Sequence, residues 1–239
     1  MSLSPATPVR VGILDSGLPP QLSGVLARCR FGAAPAELPV LAHGAAVARA
    51  IRSVAPETEL LDARIFLQRL TTTVEQVADG LEWLVAEGAQ VINMSFGLRQ
   101  DRPRLAAAVA SALARGVVLV ASAPAHGAAV YPAAYAGVLR ATGDARCDSG
   151  DLSWAPSPQA HCGACVRLPD SPPGLAGASI ACAHVSGHVA RLLAAGVAVS
   201  ELRQVLARSA RFQGPERRED FLLRQGLANT TPAAEDGMS

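Results

Sequence analysis

The sequence predicts an α/β protein with a mostly parallel central sheet and helices on both faces. Three observations predict it. Strand-length apolar runs alternate with helix-length amphipathic segments across most of the 239 residues, the pattern of units whose crossovers leave strands parallel. Half of the residues are hydrophobic but only 4% are aromatic. The core must therefore be built mostly from Ala, Val and Leu, which suits helices packed tightly on a sheet buried from both sides. Finally, the chain shows neither an internal repeat nor a clear linker. A single domain is expected over 1–239, with a core at about 9–210 and a C-terminal extension at 211–239.

The elements follow in order. Val9 to Leu14 is a short apolar run ending at Asp15-Ser16-Gly17, a buried strand opening into a loop. Gly44 to Ser53 reads as a helix beginning just after His43, and Glu59 to Phe66 as the next strand. Thr71 to Glu87 carries Val74, Val77, Leu81, Leu84 and Val85 at helical spacing. Thr71 to Thr73 supply its N-cap candidates, and Gly88 stands where a terminal glycine belongs. Ala89 to Met94 is a strand running into Ser95-Phe96-Gly97. Arg102 to Arg115 is helical and stops at Gly116, before the apolar strand Val117 to Ala121. Gly137 to Thr142 is a further strand candidate, whereas Asp144 to Gly177, rich in Pro, Ser, Gly and Cys, reads as loops. Ala178 to Ala195 and Ser200 to Arg211 are helices, Arg217 to Gln225 is a shorter one, and Asn229 to Ser239 looks like a frayed tail.

Charge and targeting signals narrow the function classes. The net charge is +1 and all 21 basic residues are arginine, which fits a coding bias better than a basic binding face. Neither nucleic acid nor a membrane surface is an expected partner. Met1 to Pro8 lacks a basic region followed by an apolar stretch, so it does not read as a secretion signal. No apolar run reaches the roughly 18 residues of a membrane span. Five cysteines, Cys29, Cys147, Cys162, Cys165 and Cys182, form an odd set in a chain too large to need staples. Reduced thiols and a cytoplasmic location are expected.

Three residues stand where doubly wound sheets build their sites, beyond the carboxyl ends of strands. Asp15 follows the first strand, His43 opens a helix, and Ser179 opens another within Gly177-Ala-Ser-Ile-Ala181. A serine hydroxyl is a poor nucleophile at neutral pH without a base to take its proton. An imidazole supplies that base, and a buried carboxylate fixes its tautomer and stabilises its cation.

The surrounding residues sharpen this. Ile13-Leu-Asp-Ser-Gly17, His43-Gly-Ala-Ala-Val-Ala48, Val91-Ile-Asn-Met-Ser-Phe-Gly97 and Gly177-Ala-Ser-Ile-Ala-Cys-Ala-His-Val-Ser-Gly187 resemble four signature blocks of the subtilisin family. They occur in that family's order, Asp, His, Ser, and the resemblance spans roughly Val9 to Ala210. It implies a subtilisin-like three-layer fold and a serine endopeptidase, with Ser179 as nucleophile, His43 as general base and acid, and Asp15 as orienting carboxylate. Ser95, Phe96 and Gly97 would pair with an extended substrate as an added strand. His184 reads as a packed structural histidine and Cys182 as a small buried side chain.

The resemblance also breaks. The family carries an oxyanion-hole asparagine where this chain has Ala125, within Ala121-Ser-Ala-Pro-Ala-His126. In a subtilisin the loss of that one donor costs about 2.7–4 kcal/mol, or 10²–10³ in turnover. The Ser179 backbone N–H remains as a donor, and His126 or Ser122 is a candidate for a second. Gly177-Ala178-Ser179 replaces Gly-Thr-Ser, and Ala183 a usual proline. Arg52-Ser-Val-Ala-Pro56 passes to the next strand without the oxygen-rich insertion of calcium-binding relatives, so no calcium site or other cofactor is expected, and with Asp15 so near the start no prodomain is expected either. His161 with Cys162-Gly-Ala-Cys165, and Cys147 upstream, read either as incidental or reducible cysteines or as a zinc site, which needs four ligands.

Together these features imply a minimal intracellular peptidase making a limited cut: removal of a leader from a peptide or protein precursor, with a partner maturation enzyme in reach. Relatives that mature ribosomally made peptides fit this description, one such role being leader removal from the small subunit of quinohemoprotein amine dehydrogenase. The alternative is a pseudopeptidase that binds a peptide without cutting it, with Ala125 as its support. A peptide ligase on the same fold is a third reading.

Overall fold

The structure is a computed structural model that describes residues 8–33, 42–169 and 175–216. The helix expected at Arg217 to Gln225 and the tail from Asn229 lie outside the described residues.

Among the described residues nine strands form one sheet: β1 (Arg10–Asp15), β2 (Val25–Arg30), β3 (Glu59–Arg64), β4 (Val91–Met94), β5 (Val118–Ser122), β6 (Leu139–Gly143), β7 (Leu152–Trp154), β8 (Cys162–Ala164) and β9 (Phe212–Gln213), in the order β2-β3-β1-β4-β5-β6-β8-β7-β9. Every pairing is parallel except β7 with β8. The central strands are uninterrupted buried runs, as strands covered on both faces must be: all of β4 and β5 is buried, and all of β1 after Arg10.

Five α-helices among the described residues supply the cover: α1 (Ala42–Val54), α2 (Val74–Ala86), α3 (Pro103–Ala114), α4 (Ala178–Ala194) and α5 (Leu202–Ser209). Val47 and Ile51 of α1, Val185 and Val189 of α4 and Leu206 of α5 share one core with Val11 and Ile13 of β1. Leu81 and Leu84 of α2 and Leu105 and Val109 of α3 share the opposite core with Leu14, Leu61 and Ile92. α2 starts where its local chemistry directs. Thr73 accepts from the Gln76 N–H and the Gln76 side chain accepts from the Thr73 N–H, a closed capping box.

The structure alters the sequence reading at four places. Residues 144–177, read as loops, contain β7 and β8, and the final helix is shorter than Ser200 to Arg211 because Phe212 and Gln213 pair with β7. β2, absent from the sequence reading, is an edge strand that alternates half-buried and exposed residues. α1 begins at Ala42, so His43 sits inside its first turn.

Candidate active site

Strand register sets the frame. β1 and β4 are neighbours with Ile13 opposite Asn93, which brings Asp15 and Ser95 level at adjacent strand ends. From β1 the chain runs to β2 and β3 on one side of it and then crosses to β4 on the other, so this rim is the switch point where such sheets place their sites.

Asp15 is fully buried, and both of its carboxylate oxygens lie 2.9 Å from His43 Nδ1. The Ser16 N–H donates to Asp15 Oδ1 at 2.6 Å, and the Ser16 hydroxyl accepts from the Gly44 N–H at 2.9 Å. These bonds lock the loop after β1 onto the first turn of α1. Gly44 is required there because a Cβ would collide with the Gly17 carbonyl oxygen. With Nδ1–H directed at the carboxylate, Nε2 is left as the basic nitrogen. Burial pulls the His43 pKa down, but the hydrogen bond and charge of Asp15 outweigh it and leave it above the ordinary value.

Ser179 stands in the first turn of α4, behind Gly177, whose φ of 114° lies in the left-handed region that favours glycine. Its hydroxyl donates to the Ser95 carbonyl oxygen at 2.9 Å. Among the described residues no hydrogen bond joins Ser179 to His43. The structure therefore pairs Asp15 with His43 and Ser179 with Ser95.

Past β4, Phe96 meets Phe66 edge-on at 5.8 Å between ring centroids, and a Cβ on Gly97 would touch Val130. Leu98 bridges Tyr131 antiparallel. The Ser122 hydroxyl donates to the Phe96 carbonyl oxygen at 3.3 Å. Ala125 and His126 are exposed and line a cleft of about 570 Å3 with Asp144, Ser153, Cys162 and Glu216.

The structure adds two features. Asn93, a polar residue inside an apolar strand, is fully buried, and its side chain joins β4 to α4. Asp144 and Arg146 form a buried ion pair: Arg146 Nε donates to Oδ1 at 3.0 Å and a terminal nitrogen to Oδ2 at 2.8 Å. Burial raises the Asp144 pKa, but the bonds from Arg146 overcome it and leave it below the usual carboxylate range. The same guanidinium donates to the Gly214 carbonyl oxygen and lies over the Phe212 ring, anchoring β9 beside the cleft.

All five cysteines are free, and burial pushes the Cys147 and Cys162 thiols up to about 12. Cys182 and His184 are fully buried, and His184 Nδ1 faces the Cys165 carbonyl oxygen at 3.0 Å. Among the described residues no group of three or more His, Cys, Asp or Glu is placed to hold a metal ion, and no helix is long and apolar enough to cross a membrane.

The comparisons with known proteins agree with this fold. Subtilisin Savinase of Lederbergia lenta is 33% identical over 149 residues, covering 55% of this chain and 54% of that protein. Subtilisin DY of Bacillus licheniformis is 28% identical over 199 residues, covering 77% and 71%. The match thus spans about half the length of Savinase and 38% of the alkaline protease of Alkalihalobacillus alcalophilus. Among solved structures, the self-cleaved protease domain of PatA, a patellamide maturation protease, is similar at TM-score 0.59 and 26% identity over 91% of this chain and 97% of that one. The subtilase family model matches residues 8–155; with that match over more than half of its length, the chain belongs to the subtilase family.

Proposed function

We propose that this chain is a subtilisin-type serine endopeptidase that makes a limited cut, removing a leader from a specific peptide or protein precursor. The observation that carries the reading is the buried Asp15 carboxylate at 2.9 Å from His43 Nδ1, beside the Ser95 carbonyl past β4 to which the Ser179 hydroxyl of α4 donates. Asp15 holds the imidazole with Nε2 free. The Ser179 hydroxyl leaves the Ser95 carbonyl, gives its proton to Nε2 and attacks the scissile carbonyl. The Ser179 backbone N–H donates to the oxyanion, and His43 returns the proton to the departing amine. Water then repeats the sequence on the acyl-enzyme. The segment from Ser95 to Gly97 pairs with the extended substrate.

Limited cutting follows from Ala125, which offers the oxyanion no side-chain donor. The site then depends on a substrate held accurately in place. PatA supports this class of role, being a maturation protease whose protease domain is self-cleaved. A cytoplasmic setting and a partner maturation enzyme fit the same reading. Ala125 also favours a second one, a pseudopeptidase that holds a peptide without cutting it.

Intact-mass analysis after fluorophosphonate treatment separates the two. One adduct on the wild type and none on Ser179→Ala is the expected result. No adduct on folded wild type would overturn the peptidase reading in favour of the binding module. Candidate precursors, the amine dehydrogenase subunit precursor among them, are then scored by product mass, which also distinguishes hydrolysis from ligation. Rapid, indiscriminate digestion of casein would exclude the limited cut.

A further inference from the structure

The nucleophile is held by more than its own helix. Asn93, in the middle of buried β4, sends its amide in two directions. Its Nδ2 donates to the Ser95 hydroxyl at 2.9 Å, and that hydroxyl donates to the Ser179 main-chain carbonyl oxygen at 2.8 Å. Its Oδ1 lies 2.9 Å from the Ser186 hydroxyl and 3.4 Å from Cys182 Sγ, both on α4. Ser186 also reaches the Cys182 carbonyl oxygen at 3.0 Å and shares its one hydrogen between the two acceptors.

The donor count fixes the orientation of the chain. The Ser95 hydroxyl has one hydrogen, given to Ser179, so it must accept from Asn93. The amide nitrogen therefore faces Ser95, and the amide oxygen faces the S–H and O–H donors of α4. Every polar atom of this buried set has a partner. A satisfied network in a low-dielectric interior is stiff, because breaking any member strands the others.

Ser95 and Ser179 are also joined twice. The Ser95 hydroxyl holds the Ser179 carbonyl, and the Ser95 carbonyl holds the Ser179 hydroxyl. Only the second bond must break for the hydroxyl to reach His43. The first keeps the Ser179 backbone in place while the side chain turns, and with it the N–H that faces the oxyanion.

We propose that Asn93 and the Ser95 hydroxyl are positioning residues for the nucleophile, an amide–hydroxyl clamp that fixes the first turn of α4 against β4 through the proton transfer. This rests on the peptidase reading above and deepens it. It goes beyond the role expected for Ser95, whose backbone alone is used by a paired substrate strand. A clamp of this kind acts on kcat, since the substrate-facing backbone is unchanged when the side chain is cut.

The test compares wild type, Ser95→Ala, Ser95→Thr and Asn93→Ala by fluorophosphonate labelling rate and by kcat and KM on a cleaved peptide, with thermal unfolding measured in parallel. For Ser95→Ala, labelling and kcat are expected to fall together by roughly 10–100-fold, the scale of a misplaced reacting group. KM should stay within about twofold, and Ser95→Thr, which keeps the hydroxyl, should recover most of the rate. Asn93→Ala is expected to follow Ser95→Ala, and if it does not fold the Ser95 pair decides alone. Labelling of Ser95→Ala at the wild-type rate, no rescue by Thr, or an effect carried wholly by KM overturns the clamp and leaves the peptidase reading standing. A wild type that takes no label overturns both.

Discussion

Asp15 and His43 set the acid–base behaviour of the proposed site. General-base catalysis needs the neutral imidazole, and here burial, which favours neutrality, is outweighed by the hydrogen bond and charge of Asp15. The His43 pKa lies above 6.5 as a result, so kcat/KM is expected to rise through a single ionisation centred above that value and to hold on the alkaline side. A profile of kcat/KM against pH on a peptide substrate checks this. A midpoint below 6.5 would show that Asp15 does not govern the imidazole. Asp15, His43 and Ser179 stand out in the sequence because each sits inside a block of several residues that resemble a family signature, and the structure pairs the first two and holds the third on Ser95. The parking of the Ser179 hydroxyl on Ser95 was not legible, because a rotamer is chosen by neighbours distant in sequence. Asn93 did leave a trace, an amide among apolar residues, but its partners Cys182 and Ser186 lie about ninety residues away.

Local signals and tertiary context divided the work among the elements. α2 announced itself through helical spacing and Thr73, and β1, β4 and β5 through largely apolar runs, since a strand buried on both faces admits a polar residue only where it finds partners, as Asn93 does in β4. β7 and β8 have three residues each in a stretch rich in Pro, Ser and Cys, and pairing with β6 and β9 makes them strands. β2 alternates only weakly, with exposed Leu26, Arg28 and Arg30 interleaved among Val25, Ala27 and Cys29. What the site needs from the elements is one close approach, the first turn of α1 against the loop after β1. Gly44→Ala places a methyl against the Gly17 carbonyl oxygen, a backbone atom that has no rotamer to yield. The expected outcome is a protein with its far-ultraviolet circular dichroism intact and its fluorophosphonate labelling lost, because α1 must move and carry His43 away from Asp15. Wild-type labelling of this variant would show that the approach carries slack.

At the scale of the whole molecule, an acid sensitivity is expected from histidines buried outside the Asp15–His43 pair. Burial, followed by the charges of Arg203 and Arg140, holds His161 down at about 4. Burial, then Arg191 and His184, does the same for His188, also at about 4, despite the nearby Asp151. His184 is lowered as well, by burial against the pull of the Cys165 and Ile180 carbonyls. In the unfolded chain these rings take up protons near 6.5; in the folded one His161 and His188 resist down to about 4. Between those limits the unfolded state binds more protons, so stability is complete above 6.5 and is lost as pH falls through that window. Asp62 opposes this near its lower end, since burial raises its pKa even against the Leu18 N–H and Arg28, so its folded form keeps a proton longer. His43 acts in a separate window: its raised pKa adds stability below 6.5 that is lost as pH climbs through the folded value. Urea unfolding from pH 4 to 8 should therefore give a midpoint that rises steeply up to about pH 6.5 and turns over gently beyond it. Replacing His161 and His188 together by Gln, which cannot take up a proton, should flatten the acid limb and leave the alkaline side unchanged. An acid limb that persists in that double variant would place the sensitivity in the carboxylates instead.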